Sequence, residues 1–139
     1  GKTLIQSTRA GTVGVAAATR ATQIYAGSLL VAGGTAKAIL REAPNVVTLV
    51  AMGWAAAERT DEDEQCALYL RNLLRGMQPD PAAVKSLILD AHESKKFGDP
   101  KQLHFHPEDR EIALDIDRAP FAIRITKEAE LLTARPDPV

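Results

Sequence analysis

Val46-Val47-Thr48-Leu49-Val50-Ala51-Met52 is a continuous apolar run of the kind that forms a strand buried on both faces. Two strand–helix units lead into it. Thr22-Gln23-Ile24-Tyr25-Ala26 reads as a strand closed by Gly27, and Ser28 is placed to cap a helix from Leu29 to Arg41. That helix carries Leu29, Ala32, Gly33, Ala36, Ile39 and Leu40 on one stripe, and Ala43-Pro44-Asn45 stops it. Gly33-Gly34 costs roughly 1 kcal/mol of helix propensity per glycine, but lets the helix lie close against a sheet or another helix. Further upstream, Lys2 to Gln6 alternates as a strand and a small-residue helix runs from Thr12. Three strands joined by helical crossovers predict a mostly parallel central sheet in a three-layer α/β/α arrangement, with 1–139 forming a single α/β domain.

In such sheets ligands bind beyond the carboxyl ends of the strands. Three loops are expected there: Ser7–Thr12, Gly27–Leu30 and Gly53–Asp63. The first, Ser7-Thr8-Arg9-Ala10-Gly11-Thr12, gathers hydroxyls, a guanidinium and a permissive glycine ahead of a helix. Free backbone N–H groups and the positive end of a helix dipole favour an anion at such a place. Arg9 adds a fork of donors suited to phosphate or sulfonate. The same hydroxyls also suit plain helix capping, and local sequence does not separate the two uses.

The third loop leads into Asp61-Glu62-Asp63-Glu64, with Thr60 as a natural N-cap. Asp63, Cys66, Ala67, Leu70, Leu73, Leu74 and Met77 share a stripe, so Asp63 heads the face that packs inward. A carboxylate there, beside the ligand edge, is better placed for chemistry than its neighbours. Acids in a first turn also simply complement the helix dipole. Cys66 reads as a buried hydrophobe rather than a nucleophile.

Downstream, Asp80-Pro81 opens a helix burying Ala83, Val84, Leu87, Ile88 and Ala91, and Glu93–Pro100 reads as an exposed loop. His104-Phe105-His106-Pro107 carries too little for a metal motif, and His106 capping a helix from Glu108 to Asp117 is simpler. Phe121–Thr126 alternates as a last strand, Glu130–Ala134 is an added edge strand, and Arg135–Val139 is a tail.

Composition narrows the functional classes. With 139 residues, 45% hydrophobic and 25% charged, the chain is sized for one folded domain. A formal charge of −1, with no basic stripe and few aromatics, argues against nucleic acid as a partner. No apolar run approaches a membrane span, and no secretory signal opens the chain. A single cysteine suits a reducing compartment, so the expected location is cytoplasmic.

Taken in order, these blocks resemble the 2-phosphosulfolactate phosphatase family. The blocks are the Gln6–Thr12 turn, Gly27-Ser28-Leu29-Leu30-Val31-Ala32, Val46–Ala67 with its Glu62-Asp63 and Cys66-Ala67, and Pro107–Ile125. The turn departs from the family pattern at Arg9 and Ala10. The resemblance implies a magnesium-dependent phosphatase that hydrolyses 2-phospho-3-sulfolactate, a small phosphorylated and sulfonated acid of coenzyme M biosynthesis. It assigns Ser7, Thr8, Gly11, Thr12 and Ser28, with Arg9 from the residue reading, to substrate and phosphate binding. Glu62 and Asp63 are the catalytic and Mg2+-ligand candidates. It also implies that this chain is the C-terminal portion of a longer phosphatase, with a homo-oligomer or the family's earlier segment as its protein partner. The alternative is a non-catalytic domain that binds an anion or oligomerises.

Overall fold

A computed structural model describes residues 2–139. In chain order its elements are α1 (Gly11–Ala17), β1 (Ile24–Tyr25), α2 (Ala32–Arg41), α3 (Asp61–Leu74), α4 (Pro81–Asp90), α5 (Pro107–Ala113), β2 (Phe121–Glu128) and β3 (Leu131–Pro138). Short 3-10 turns at Leu29–Val31 and His92–Lys96 precede α2 and follow α4.

The sheet has three strands in the order β1-β2-β3, antiparallel throughout. This corrects the expectation of a three-layer α/β/α domain around a mostly parallel sheet. β2 and β3 close on each other through Ala129-Glu130, where Ala129 takes a left-handed φ of 54°. A two-residue connection costs little closure entropy compared with a long parallel crossover. β1 then pairs with β2, Ile24 opposite Ile125 and Tyr25 opposite Arg124, instead of receiving a parallel neighbour. Lys2–Gln6 and Val46–Met52 take no regular secondary structure and form no ladder among the described residues. An apolar pattern specifies an extended backbone; a strand also needs an edge to pair with, and the sequence pattern names none.

Several boundaries differ for local reasons. The supposed tail Arg135–Val139 mostly belongs to β3, whose Pro136 and Pro138 are tolerated because it is an edge strand. The stretch around Glu93 is a 3-10 turn with Ser94 buried, because Lys96 pairs with Glu93 at 2.8 Å and lies over the Phe105 ring. Leu87, expected inside, is exposed, while Ile88 is buried.

The core sits where α2 meets α3. Leu29, Ala32, Tyr69, Leu70, Ile88 and Leu114 are buried together. Gly34 explains the close fit of α2 on the sheet: a Cβ there would meet the Phe121 carbonyl carbon at 2.6 Å and its amide nitrogen at 2.9 Å. Arg41 fastens the far end of α2 to β3, forking onto the Asp137 carboxylate at 3.0 and 3.1 Å. Asp80 caps α4 by accepting the Ala82 N–H at 2.9 Å, with Pro81 in the first turn as its sequence implies.

Candidate active site

The Ser7–Thr12 turn is held by two threonines. Thr8 N–H donates to Thr12 Oγ1 at 3.0 Å, Thr12 N–H donates to Thr8 Oγ1 at 3.1 Å, and Thr12 Oγ1–H donates to the Thr8 carbonyl at 2.8 Å. These bonds tie the entry of α1 to the preceding chain, so both hydroxyls serve the turn itself. Ser7, Arg9 and Gly11 are exposed, and Arg9 makes no hydrogen bond among the described residues. A Cβ on Gly11 would meet Thr8 Oγ1 at an ordinary 3.7 Å, so glycine is not sterically required there.

α1 rests on the segment leading into the third loop. A Cβ on Gly14 would meet Met52 Cε at 2.8 Å, so the helix and Met52 are in close contact. Gly53 follows Met52, and its N–H donates to Asp63 Oδ2 at 2.7 Å. Met52 and Gly53 therefore link α1 to the Asp63 carboxylate. Gly53 has φ +64°, and a Cβ there would press into the Glu58 carbonyl. The loop folds back as a tight hairpin, Trp54 N–H donating to the Glu58 carbonyl at 2.8 Å.

Thr60 precedes α3, yet its hydroxyl makes no cap bond. The residue is 7% exposed and its Oγ1 has no hydrogen-bond partner among the described residues. It lines a cavity of about 150 Å3 together with Met52, Gly53, Glu58, Arg59 and Glu64. Arg59 and Glu64 form a two-pronged ion pair there, with Nη2 2.8 Å from Oε2, and that bond lowers the pKa of Glu64. Sequence reading treated Thr60 only as a cap. The one available signal was a hydroxyl directly after an arginine at the ligand-edge loop.

The remaining candidates are placed less closely. Glu62, half-buried beside Asp63, makes no side-chain hydrogen bond among the described residues. Ser28 is exposed ahead of the 3-10 turn. Its neighbour Gly27 lies against Leu70, seven residues from Asp63 and so about 10 Å along the helix. Ser28 is thus set apart from the other candidates. Cys66 is inert: burial, and secondarily Asp63, push its thiol up to about 11.

A polar tie missed by sequence reading joins three elements. Asp117, at φ 59°, accepts the Gly33 N–H near the start of α2 and the Tyr69 O–H at 2.9 Å. Burial, then this carboxylate, raise the Tyr69 phenol to about 12.

No three histidine, cysteine or acidic side chains among the described residues converge as a metal cage. Magnesium is commonly held by one or two carboxylates, with water and substrate phosphate completing the shell. Asp63 retains Oδ1 beyond its bond to Gly53, so it offers one such carboxylate, while Glu62, the next residue of α3, lies about 100° around the helix. No helix among the described residues is long and apolar enough to cross a membrane.

A family model described as 2-phosphosulpholactate phosphatase matches residues 1–107. The match takes in the Ser7–Thr12 turn, Ser28 and the whole Gly53–Glu64 region, and stops before most of the Pro107–Ile125 block. No curated protein and no solved structure matches the chain. On the match across residues 1–107 of 139, the chain belongs to the 2-phosphosulpholactate phosphatase family.

Proposed function

We propose that the protein is a magnesium-dependent phosphatase acting on 2-phospho-3-sulfolactate or a closely similar small phosphorylated acid, at the Gly53–Glu64 region. The observation that carries this reading is the Asp63 carboxylate, fixed by the Gly53 N–H, with Gly53, Arg59 and Thr60 lining the adjoining cavity. Arg59 offers a guanidinium at the cavity, now held by Glu64, which a dianionic substrate competes for. Arg9, exposed on the turn ahead of α1, supplies a second cation for the sulfonate or carboxylate. Asp63, flanked by Glu62, would hold Mg2+, which would supply neutralisation of phosphoryl charge and a bound water of lowered pKa. The loop hairpin keeps Asp63 oriented while substrate binds.

The test is phosphate release from 2-phosphosulfolactate by this chain, with magnesium and with chelator. Turnover that chelator abolishes and magnesium restores is the expected result. Binding of sulfolactate without turnover in either condition would favour the non-catalytic anion-binding alternative.

A further inference from the structure

The cavity adjoining Asp63 is walled in part by the Trp54–Glu58 hairpin, whose backbone is strained. Ala55 and Ala56 both take left-handed backbones, with φ 51° and 58°. A Cβ is penalised there, and Gly, Asn or Asp is the usual occupant. The hairpin residues are exposed, and their backbone hydrogen bonds among the described residues run only to one another. Strain of this kind persists only where surrounding structure holds it.

The hold comes from Lys96. Its Nζ lies 5.7 Å from the centre of the Trp54 ring, within range of a cation–π contact. Lys96 is itself fixed: Nζ is 2.8 Å from Glu93 Oε2 and lies 4.9 Å and 5.8 Å from the Phe105 and Phe97 ring centres. The Lys96 side chain is only 19% exposed, and a partly desolvated cation attracts a ring face more strongly than one in open water. Both ends of the hairpin run straight into the candidate site. Gly53, whose N–H donates to Asp63, precedes Trp54, and Arg59, paired with Glu64, follows Glu58. Ala56, Ala57 and Glu58 line the cavity.

We propose that Lys96 is a positioning residue for this site: its ammonium pins the Trp54 ring and so keeps the strained hairpin folded at the cavity. The bearing on catalysis rests on the phosphatase reading above; the hold on the hairpin does not.

The test compares Lys96→Met, which keeps the side-chain reach but removes the charge, with Lys96→Arg, which keeps a cation for the ring. Amide hydrogen exchange and magnesium-dependent phosphate release from 2-phosphosulfolactate are both measured. In Lys96→Met the Gly53, Trp54 and Glu58 amides exchange about tenfold faster or more, while α3 amides keep wild-type rates. Its kcat/KM falls, and Lys96→Arg restores both readouts. Trp54→Leu removes the same contact from the other side, leaves Lys96 on Glu93 and Phe105, and quickens the Gly53 and Glu58 amides alike. A lysine serving only its own turn would disturb the Gly98 amide, bonded to the Phe105 carbonyl, and leave Gly53–Glu58 untouched; that result overturns the proposal. So do Lys96→Arg exchanging like Lys96→Met, Trp54→Leu without effect, or wild-type kcat/KM in Lys96→Met. The expected exchange with no turnover by the wild type sinks the phosphatase reading instead and upholds the hold on the hairpin.

Discussion

Gly53 and Gly76 both hold left-handed backbones, with φ +64° and +74°, but only one of them is crowded. Gly76 ends α3 as a Schellman cap: its N–H donates to the Leu73 carbonyl at 2.9 Å and Met77 N–H to the Asn72 carbonyl at 2.9 Å. A Cβ at Gly76 meets nothing within 4 Å, whereas at Gly53 it presses on the Glu58 carbonyl, with the carbonyl carbon at 3.0 Å. Alanine at Gly76 therefore costs only the left-handed penalty, about 1 kcal/mol. Alanine at Gly53 costs that plus a backbone collision of roughly 1–3 kcal/mol, which no rotamer can relieve. Displacing the loop also weakens the Gly53 N–H to Asp63 bond, worth about 1.5–3 kcal/mol for a charged acceptor. These contributions overlap, so Gly53→Ala is expected to lose roughly 2–3 kcal/mol more than Gly76→Ala. Urea unfolding of both variants measures the difference. Equal losses would refute the hairpin packing and the positioning of Asp63 derived from it.

Other consequences are more local. In Gly34→Ala the propensity gain of about 1 kcal/mol opposes a collision with Phe121 backbone, and the collision wins by roughly 1–2 kcal/mol; a raised urea midpoint would contradict the α2–β2 contact. Arg9→Ala is expected to change stability by less than about 0.5 kcal/mol while weakening sulfolactate binding in calorimetry; unchanged affinity removes Arg9 from the site. Tyr69 binds its proton more tightly folded than unfolded, so its contribution is complete below the unfolded value of about 10. It fades as pH climbs through the folded value of about 12. Tyr69→Phe should flatten the fall in urea midpoint over that alkaline window, and parallel curves would contradict the part-buried Tyr69–Asp117 bond.

Local chemistry was legible in the sequence; pairing was not. The helix from Asp61, the Asp80-Pro81 start and the stop at Ala43-Pro44 follow from caps and breakers that act within a few residues, and each appears. Gly33-Gly34 signalled close packing, and Gly34 lies on Phe121. The parallel sheet failed because strand order was inferred from succession along the chain, while β1 pairs with a strand about a hundred residues later. Asp63 stood out through its place on the α3 stripe, and its carboxylate accepts the Gly53 N–H. The loss of Thr60 as a cap was invisible, because whether its hydroxyl reaches its own helix or is buried unpaired depends on the loop folding against it. Asp117 escaped notice because its partners, Gly33 and Tyr69, come from distant segments.

The central claim is that the Asp63 carboxylate serves magnesium-dependent phosphate release as well as the loop. Asp63→Asn keeps an oxygen to accept the Gly53 N–H but removes the charge that attracts the cation. The deciding measurement is phosphate release from 2-phosphosulfolactate by wild type and Asp63→Asn across a magnesium titration. The account predicts a folded variant whose turnover is lost or no longer responds to magnesium. Wild-type turnover with wild-type magnesium dependence would contradict it and leave Asp63 as an anchor for the loop alone.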